Sequence, residues 1–161
     1  MSPEGIFNGA KTGLTCMYAY VGTVAEELGM EKAVDLNNRA CQILGAAQGK
    51  MLKEQLGNEE IDSRKAAELL GKLIEEGFGI LSEITEESPE RTVRKLGRCP
   101  IYEGAQAIGF DKQAIEANCR AGSLQFMDAA AKELNPKLSY HLTKFRSSAD
   151  DSCEETVVLE Q

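Results

Sequence analysis

Leu138-Ser139-Tyr140-His141-Leu142-Thr143 alternates apolar with polar side chains. After the polar stretch Ser147 to Ser152, Cys153, Glu155, Val157 and Leu159 alternate with Glu154, Thr156 and Val158. A period of two is the mark of a strand with one face buried, and two such runs around a polar turn read as a β-hairpin. Working back along the chain, Phe78 to Thr85 and Arg91 to Arg98 read as two more strands, with Ser88-Pro89 as the turn between them. Pro100 ends the second of these, and a short helical turn leads to Gly109. Asp111 then caps one long helix to about Leu134, stopped by Asn135-Pro136. Two strand pairs with a helix between them predict an α+β fold, an antiparallel sheet of about four strands with helices stacked on one face.

Upstream the period is helical. Leu14, Met17, Tyr18, Val21, Val24, Ala25 and Leu28 recur at threes and fours, and Gly29 stops them. Met30, Val34, Cys41, Leu44, Ala47 and Met51 form the stripe of a second helix that closes near Gly57. Asn37 falls inside that stripe, where a capping or helix-to-helix hydrogen bond accounts for it. Asp62 or Ser63 caps a third helix, with Ala66, Leu69, Leu70, Leu73 and Ile74 inward and Gly77 beyond its end. The reading is one domain over 1–161, a helical half to about 76 and an α+β half from about 77. The broad apolar stripe of the first helix requires cover, either the second helix or a homodimer formed through both.

A chain of 161 residues buries roughly two-thirds of its unfolded surface. Its 42% hydrophobic and 27% charged residues exclude a disordered chain, a collagen-like chain and a coiled-coil rod. The net charge of −8 offers no attraction to phosphate backbones or anionic lipid, so neither nucleic acid nor a membrane is an expected partner. The best apolar run, Leu14 to Ala25, is too short to span a bilayer and carries Thr15, Tyr18, Tyr20 and Thr23. It also lacks the basic cluster of a signal peptide, and the chain reads as cytoplasmic.

The sequence has no dinucleotide or phosphate-binding glycine loop, no Gly-x-Ser-x-Gly elbow and no His-Glu-x-x-His helix. With His141 as its one histidine, sites built on several imidazoles are excluded, and a Ser-His-Asp or Cys-His arrangement has to use that residue. Five cysteines, at 16, 41, 99, 119 and 153, include no Cys-x-x-Cys pair, and a disulfide framework is not expected. Cys16 and Cys41 read as core fillers. Cys99 sits at a strand end before Pro100, Cys119 on the inward stripe of the fourth helix, and Cys153 at the start of the last strand behind Asp150 and Asp151. If that helix crosses the sheet, at least two of the three sulfurs meet, with Asp150 nearby. Three thiolates and a carboxylate could ligate zinc. Alternatively one thiol is a nucleophile with His141 or an aspartate as base, provided a cation or helix N-terminus lowers its pKa. A pocket with few charges is expected between helix and sheet, lined by Phe126, Tyr140 and Cys119.

The ordered series Arg98-Cys99-Pro100-Ile101-Tyr102-Glu103, Gly109, Cys119, Leu134-Asn135-Pro136-Lys137-Leu138 and Asp150-Asp151-Ser152-Cys153 resembles the L-2-amino-thiazoline-4-carboxylic acid hydrolase family. The helical run from Glu26 to Gly57 is also similar, so the resemblance covers about residues 26 to 159. Ala149 stands where the family pattern has glycine, and Glu155 and Val157 stand where its last strand is aromatic. The resemblance marks Cys99, Cys119, Asp150 and Cys153 as site residues. It implies attack of water on the C2 amidine carbon of a thiazoline ring, giving an N-carbamoyl cysteine. Asp150 or His141 would then serve as base, and Arg98 or Arg120 would clamp the substrate carboxylate. The hairpin ending in Asp-x-x-Cys also looks like the small-molecule-binding domains related to bacteriochlorophyll four-vinyl reductase, which implies ligand binding without chemistry. Three functions therefore compete: a hydrolase of a small cyclic amidine or amide, a sensor or carrier for a small molecule, and an assembly subunit whose cysteines are only core.

Overall fold

The computed structural model describes residues 2–56 and 60–160; the expected helix stop at Gly57 lies outside the described residues. Helix α1 runs Pro3–Leu28, beginning well before its apolar stripe because Ser2 caps it and Pro3 presets its first φ. Gly29, at φ 86, ends it, and α2 follows at Met30–Leu56. Helix α3 (Ser63–Phe78) starts where the Asp62 carboxylate accepts from the Lys65 amide at 3.0 Å.

The end of α3 corrects two expectations. Gly77 is helical, and Phe78, expected to open a strand, is the last helical residue. The stop is Gly79, whose φ of 67 is left-handed and whose missing Cβ would lie 2.7 Å from the Phe7 backbone nitrogen. Strand β1 is thereby delayed to Ser82–Glu87, and β2 spans Arg91–Leu96. Pro100 opens α4 (Pro100–Ala107) from its first turn.

The single long helix expected from Asp111 is broken into α5 (Lys112–Ala121) and α6 (Ser123–Leu134). Asp111 does cap α5, accepting from the Ala114 amide at 2.8 Å. The break is at Gly122, with φ −114 and ψ −81. Any Cβ there would meet the Asn37 amide at 2.7 Å and the Cys41 sulfur at 3.4 Å, so α2 presses directly on the kink. Asn37 itself accepts a bond from the Cys41 thiol one turn away. Further along α2, Gly45 and Gly49 let its backbone approach Phe126 and Ala130 of α6 too closely for any side chain.

The final hairpin is β3 (Leu138–Lys144) and β4 (Cys153–Leu159), as its alternation predicted. The four strands form one antiparallel sheet in the order β1-β2-β4-β3. Leu138, Tyr140 and Leu142 of β3 join Leu96 and Val157 in a core against Leu70 and Ile74 of α3 and Met127 of α6. A second apolar cluster joins Tyr18 of α1, Ile101 and Tyr102 of α4, and Ile115 of α5. The first helix thus buries Tyr18 and Val21, while Tyr20, Ile43 and Met51 on α1 and α2 stay more than half exposed. Among the described residues no helix is long and apolar enough to cross a membrane.

Candidate functional site

The two apolar clusters do not close on each other. Between them lies a cavity of about 290 Å³, walled by residues of all six helices and by the inner face of β2 and β4. Strand register puts its floor in place: Leu96 pairs with Cys153 and Arg94 with Glu155, so Cys153 and Glu155 point the same way, two residues apart. Cys99 is the N-cap residue of α4, three positions beyond Leu96, and returns over the same edge. Cys119 comes from the last turn of α5, and Cys41 from α2 beside the kink. All four thiols line the cavity with Leu14, Met17, Ile101, Ile115, Phe126 and Met127, and the exposed Leu44 belongs to its rim.

Three of these thiols are held in their neutral form. Burial pushes Cys99 up to about 11, although the Ile101 and Tyr102 amides of the α4 N-terminus and the Arg146 guanidinium pull the other way. Burial also raises Cys119 well above the ordinary thiol value, and Cys41 less so. Among the described residues no group of three or more His, Cys, Asp or Glu side chains is placed to hold a metal ion. Cys16, expected in the core, is exposed, and Cys41, also expected as packing, belongs to the cavity wall.

An arginine and a glutamate face this apolar space. Arg146 is 1% exposed. Its Nε donates to the Cys153 sulfur at 3.4 Å, its Nη1 to the Ala149 carbonyl at 3.3 Å and its Nη2 to the Gly97 carbonyl, with the Tyr102 ring 5.8 Å away. Glu155 accepts from the buried Tyr140 hydroxyl. Burial drives its carboxyl above the ordinary value, and the Tyr140 bond and the two arginines Arg94 and Arg146 offset part of that. Arg94, also buried, donates to the Ala67 carbonyl at 2.9 Å and to the Ser82 hydroxyl, lying where Gly71 of α3 leaves room.

The structure gathers Cys99, Cys119, Cys153 and Phe126 on this cavity and sets Tyr140 behind Glu155. It leaves the other sequence candidates outside. Asp150 is exposed in the β3–β4 turn. Its neighbour Asp151 builds that turn, accepting from the Ser147 and Ser152 amides at 2.8 Å and from Lys144 at 3.0 Å, bonds that hold its carboxyl far below the usual range. His141 is exposed, with Nε2 2.9 Å from the Ser139 hydroxyl, and shares a shallow polar groove with Arg120, Gln125 and Lys132. Arg120 is bound to Glu116 at 2.8 Å. Arg98 is bound to Glu103 at 3.0 Å and lies over the Phe7 ring.

Arg146, Arg94 and the inward role of Glu155 escaped the sequence reading. An arginine just before a polar turn carries the signature of a solvated residue, and nothing local marks its burial. For Glu155 a signal was present, since it alternates in phase with Cys153 and Val157.

No curated protein matches the sequence. Among solved structures, a trafficking protein particle complex subunit 3 from Naegleria fowleri, covalently bound to palmitic acid, has the same fold. It is 15% identical, covers 94% of this chain and 97% of its own, and gives a TM-score of 0.58. A family model described as L-2-amino-thiazoline-4-carboxylic acid hydrolase matches residues 10–155, through both helical and sheet halves, and the chain belongs to that family.

Proposed function

We propose that the protein is a small-molecule-binding domain that takes up a compact, mainly apolar ligand between the sheet and the kinked α5–α6 pair. The observation that carries this reading is the cavity wall: aliphatic, aromatic and thiol side chains with one arginine and one glutamate set into them. Ligand sites are built in that way, apolar walls giving affinity and a few polar groups giving orientation. Its volume of about 290 Å³ is at the small end for such sites, equal to roughly ten water molecules. Each methylene placed there is worth about 0.8 kcal/mol. The similar trafficking subunit, bound to palmitic acid, supports an acyl chain as the kind of ligand this fold accepts. Raised thiol pKa values argue against a cysteine poised for attack.

Thermal unfolding with and without octanoic acid tests the proposal. Ligand at a hundred times its Kd stabilises the native state by about 2.7 kcal/mol. Ile115→Trp, which fills the cavity, should abolish that shift. An unchanged Tm across short- and medium-chain acids, alcohols and esters would remove the reading.

Family membership favours a second reading, hydrolysis of a 2-amino-thiazoline carboxylate. In it Glu155 replaces Asp150 and His141 as the base, because it alone of the three lines the cavity. Water oxygen adds to C2 and one water proton passes through Glu155 to the ring nitrogen; the C2–S bond then breaks as the carbonyl forms, and the second water proton passes through Glu155 to the departing sulfur, giving the N-carbamoyl cysteine. Incubation with the thiazoline carboxylate should then release titratable thiol, and Glu155→Gln should stop it. A rate no faster than buffer would exclude this reading and leave the first.

A further inference from the structure

We infer that the cavity selects ligands bearing a carboxylate, and that Arg146 is the group that receives it. This deepens the binding proposal above and rests on it. The argument is one of charge balance. The arginines 94 and 146 are both buried. Glu155 is the carboxyl that faces the same space. Arg94 lies opposite Glu155 in the β2–β4 register but outside the cavity lining, and it donates to the Ala67 carbonyl and the Ser82 hydroxyl. Arg146 is the arginine that lines the cavity. Among the described residues no carboxylate lies within ion-pair distance of it, whereas at the surface Arg98 has two and Arg120 has one. Its three acceptors are two carbonyls and a sulfur, and none carries a charge. An arginine has five N–H groups, so two remain for a further acceptor. A buried cation without a counter-ion is costly, and an anion that enters the cavity removes that cost. Carboxylate fits best, because the guanidinium fork matches its two oxygens. The remaining wall is apolar, so the rest of the ligand is a hydrocarbon chain or ring rather than a second ionic group.

Titration calorimetry of the wild-type protein with octanoic acid, octan-1-ol and methyl octanoate, at equal ionic strength, tests the inference. The acid is expected to bind at least about tenfold more tightly than the alcohol or the ester, the ratio that a charge-assisted hydrogen bond supplies. Equal affinities would overturn carboxylate selection while leaving the binding proposal intact; no binding by any of the three would overturn both. Arg146→Met, which keeps the stem and removes the charge, should bring acid and alcohol to equal affinity. Because Arg146 also ties Gly97 to Ala149, that variant is open to misfolding. The carboxyl carbon resonance of labelled octanoic acid bound to the wild type is the independent measurement. Pairing with Arg146 should keep the bound acid ionised to a lower pH than the free acid, and a bound acid that protonates at higher pH than the free acid would contradict the inference.

Discussion

The outer surface of this molecule and its cavity treat charge in opposite ways. Outside, Arg98, Arg120, Lys72 and Lys132 each lie against a carboxylate within 3.0 Å, in water that screens the pair. Inside, Arg146 is almost wholly enclosed and meets only neutral acceptors, and Glu155 is pushed toward its neutral form. Exposed pairs are interchangeable decoration energetically, since solvent replaces a lost partner. In the cavity nothing replaces it. The difference shows why candidates chosen for residue type alone, Arg98, Arg120, His141 and Asp150, fall on the cheap side of that divide.

The widest gap should appear on truncating one arginine from each region. Arg146→Ala leaves the Gly97 and Ala149 carbonyls without their donor and enlarges the cavity, and urea unfolding should register a loss of about 3 kcal/mol. A loss under about 1 kcal/mol would mean that water serves those carbonyls, and the contrast would collapse. Alkylation sharpens the same comparison through the thiols. Cys16 is exposed, whereas Cys99 and Cys119 are partly buried and held neutral. Mass spectrometry at pH 7.5 should find Cys16 modified at least about tenfold faster than either, because burial limits access to Cys99 and Cys119 and suppresses their thiolates.

Glu155 gives a smaller effect with a definite sign. Its native pKa is raised, so the folded state retains a proton that the unfolded chain releases above its ordinary value near 4.3. Wild-type stability should therefore fall as pH rises from the ordinary value to the raised one, while Glu155→Gln has no such term. Unfolding free energies at pH 4 and pH 8 should show the variant gaining on the wild type as pH rises; a gap that does not change with pH would mean that folding leaves the Glu155 carboxyl unshifted. Last and smallest, Arg120→Ala should cost no more than about 0.5 kcal/mol, and less in high salt.

Much of the architecture is written in contacts between near neighbours in the chain. Alternation in 138–143 and 153–159 is set by the strand repeat itself, and the caps at Asp62 and Asp111 reach amides three residues away. Gly29 and Asn135-Pro136 end helices for reasons of backbone geometry that need no partner elsewhere. For the same reason the hairpin and the α+β class follow from the order of residues. What the tertiary structure alone decided always involves groups far apart in the chain. Apolar spacing runs unbroken through Gly122, and the kink exists because Asn37 and Cys41 of another helix occupy the place of a side chain. Gly79 rather than Gly77 stops α3 because Phe7 lies against it. Arg146 is buried because the Gly97 carbonyl, 49 positions earlier, meets it, and Glu155 is held by Tyr140 from the neighbouring strand. A side chain's type sets which bonds it is able to make, but its surroundings set whether water competes for them, and only folding brings those surroundings together.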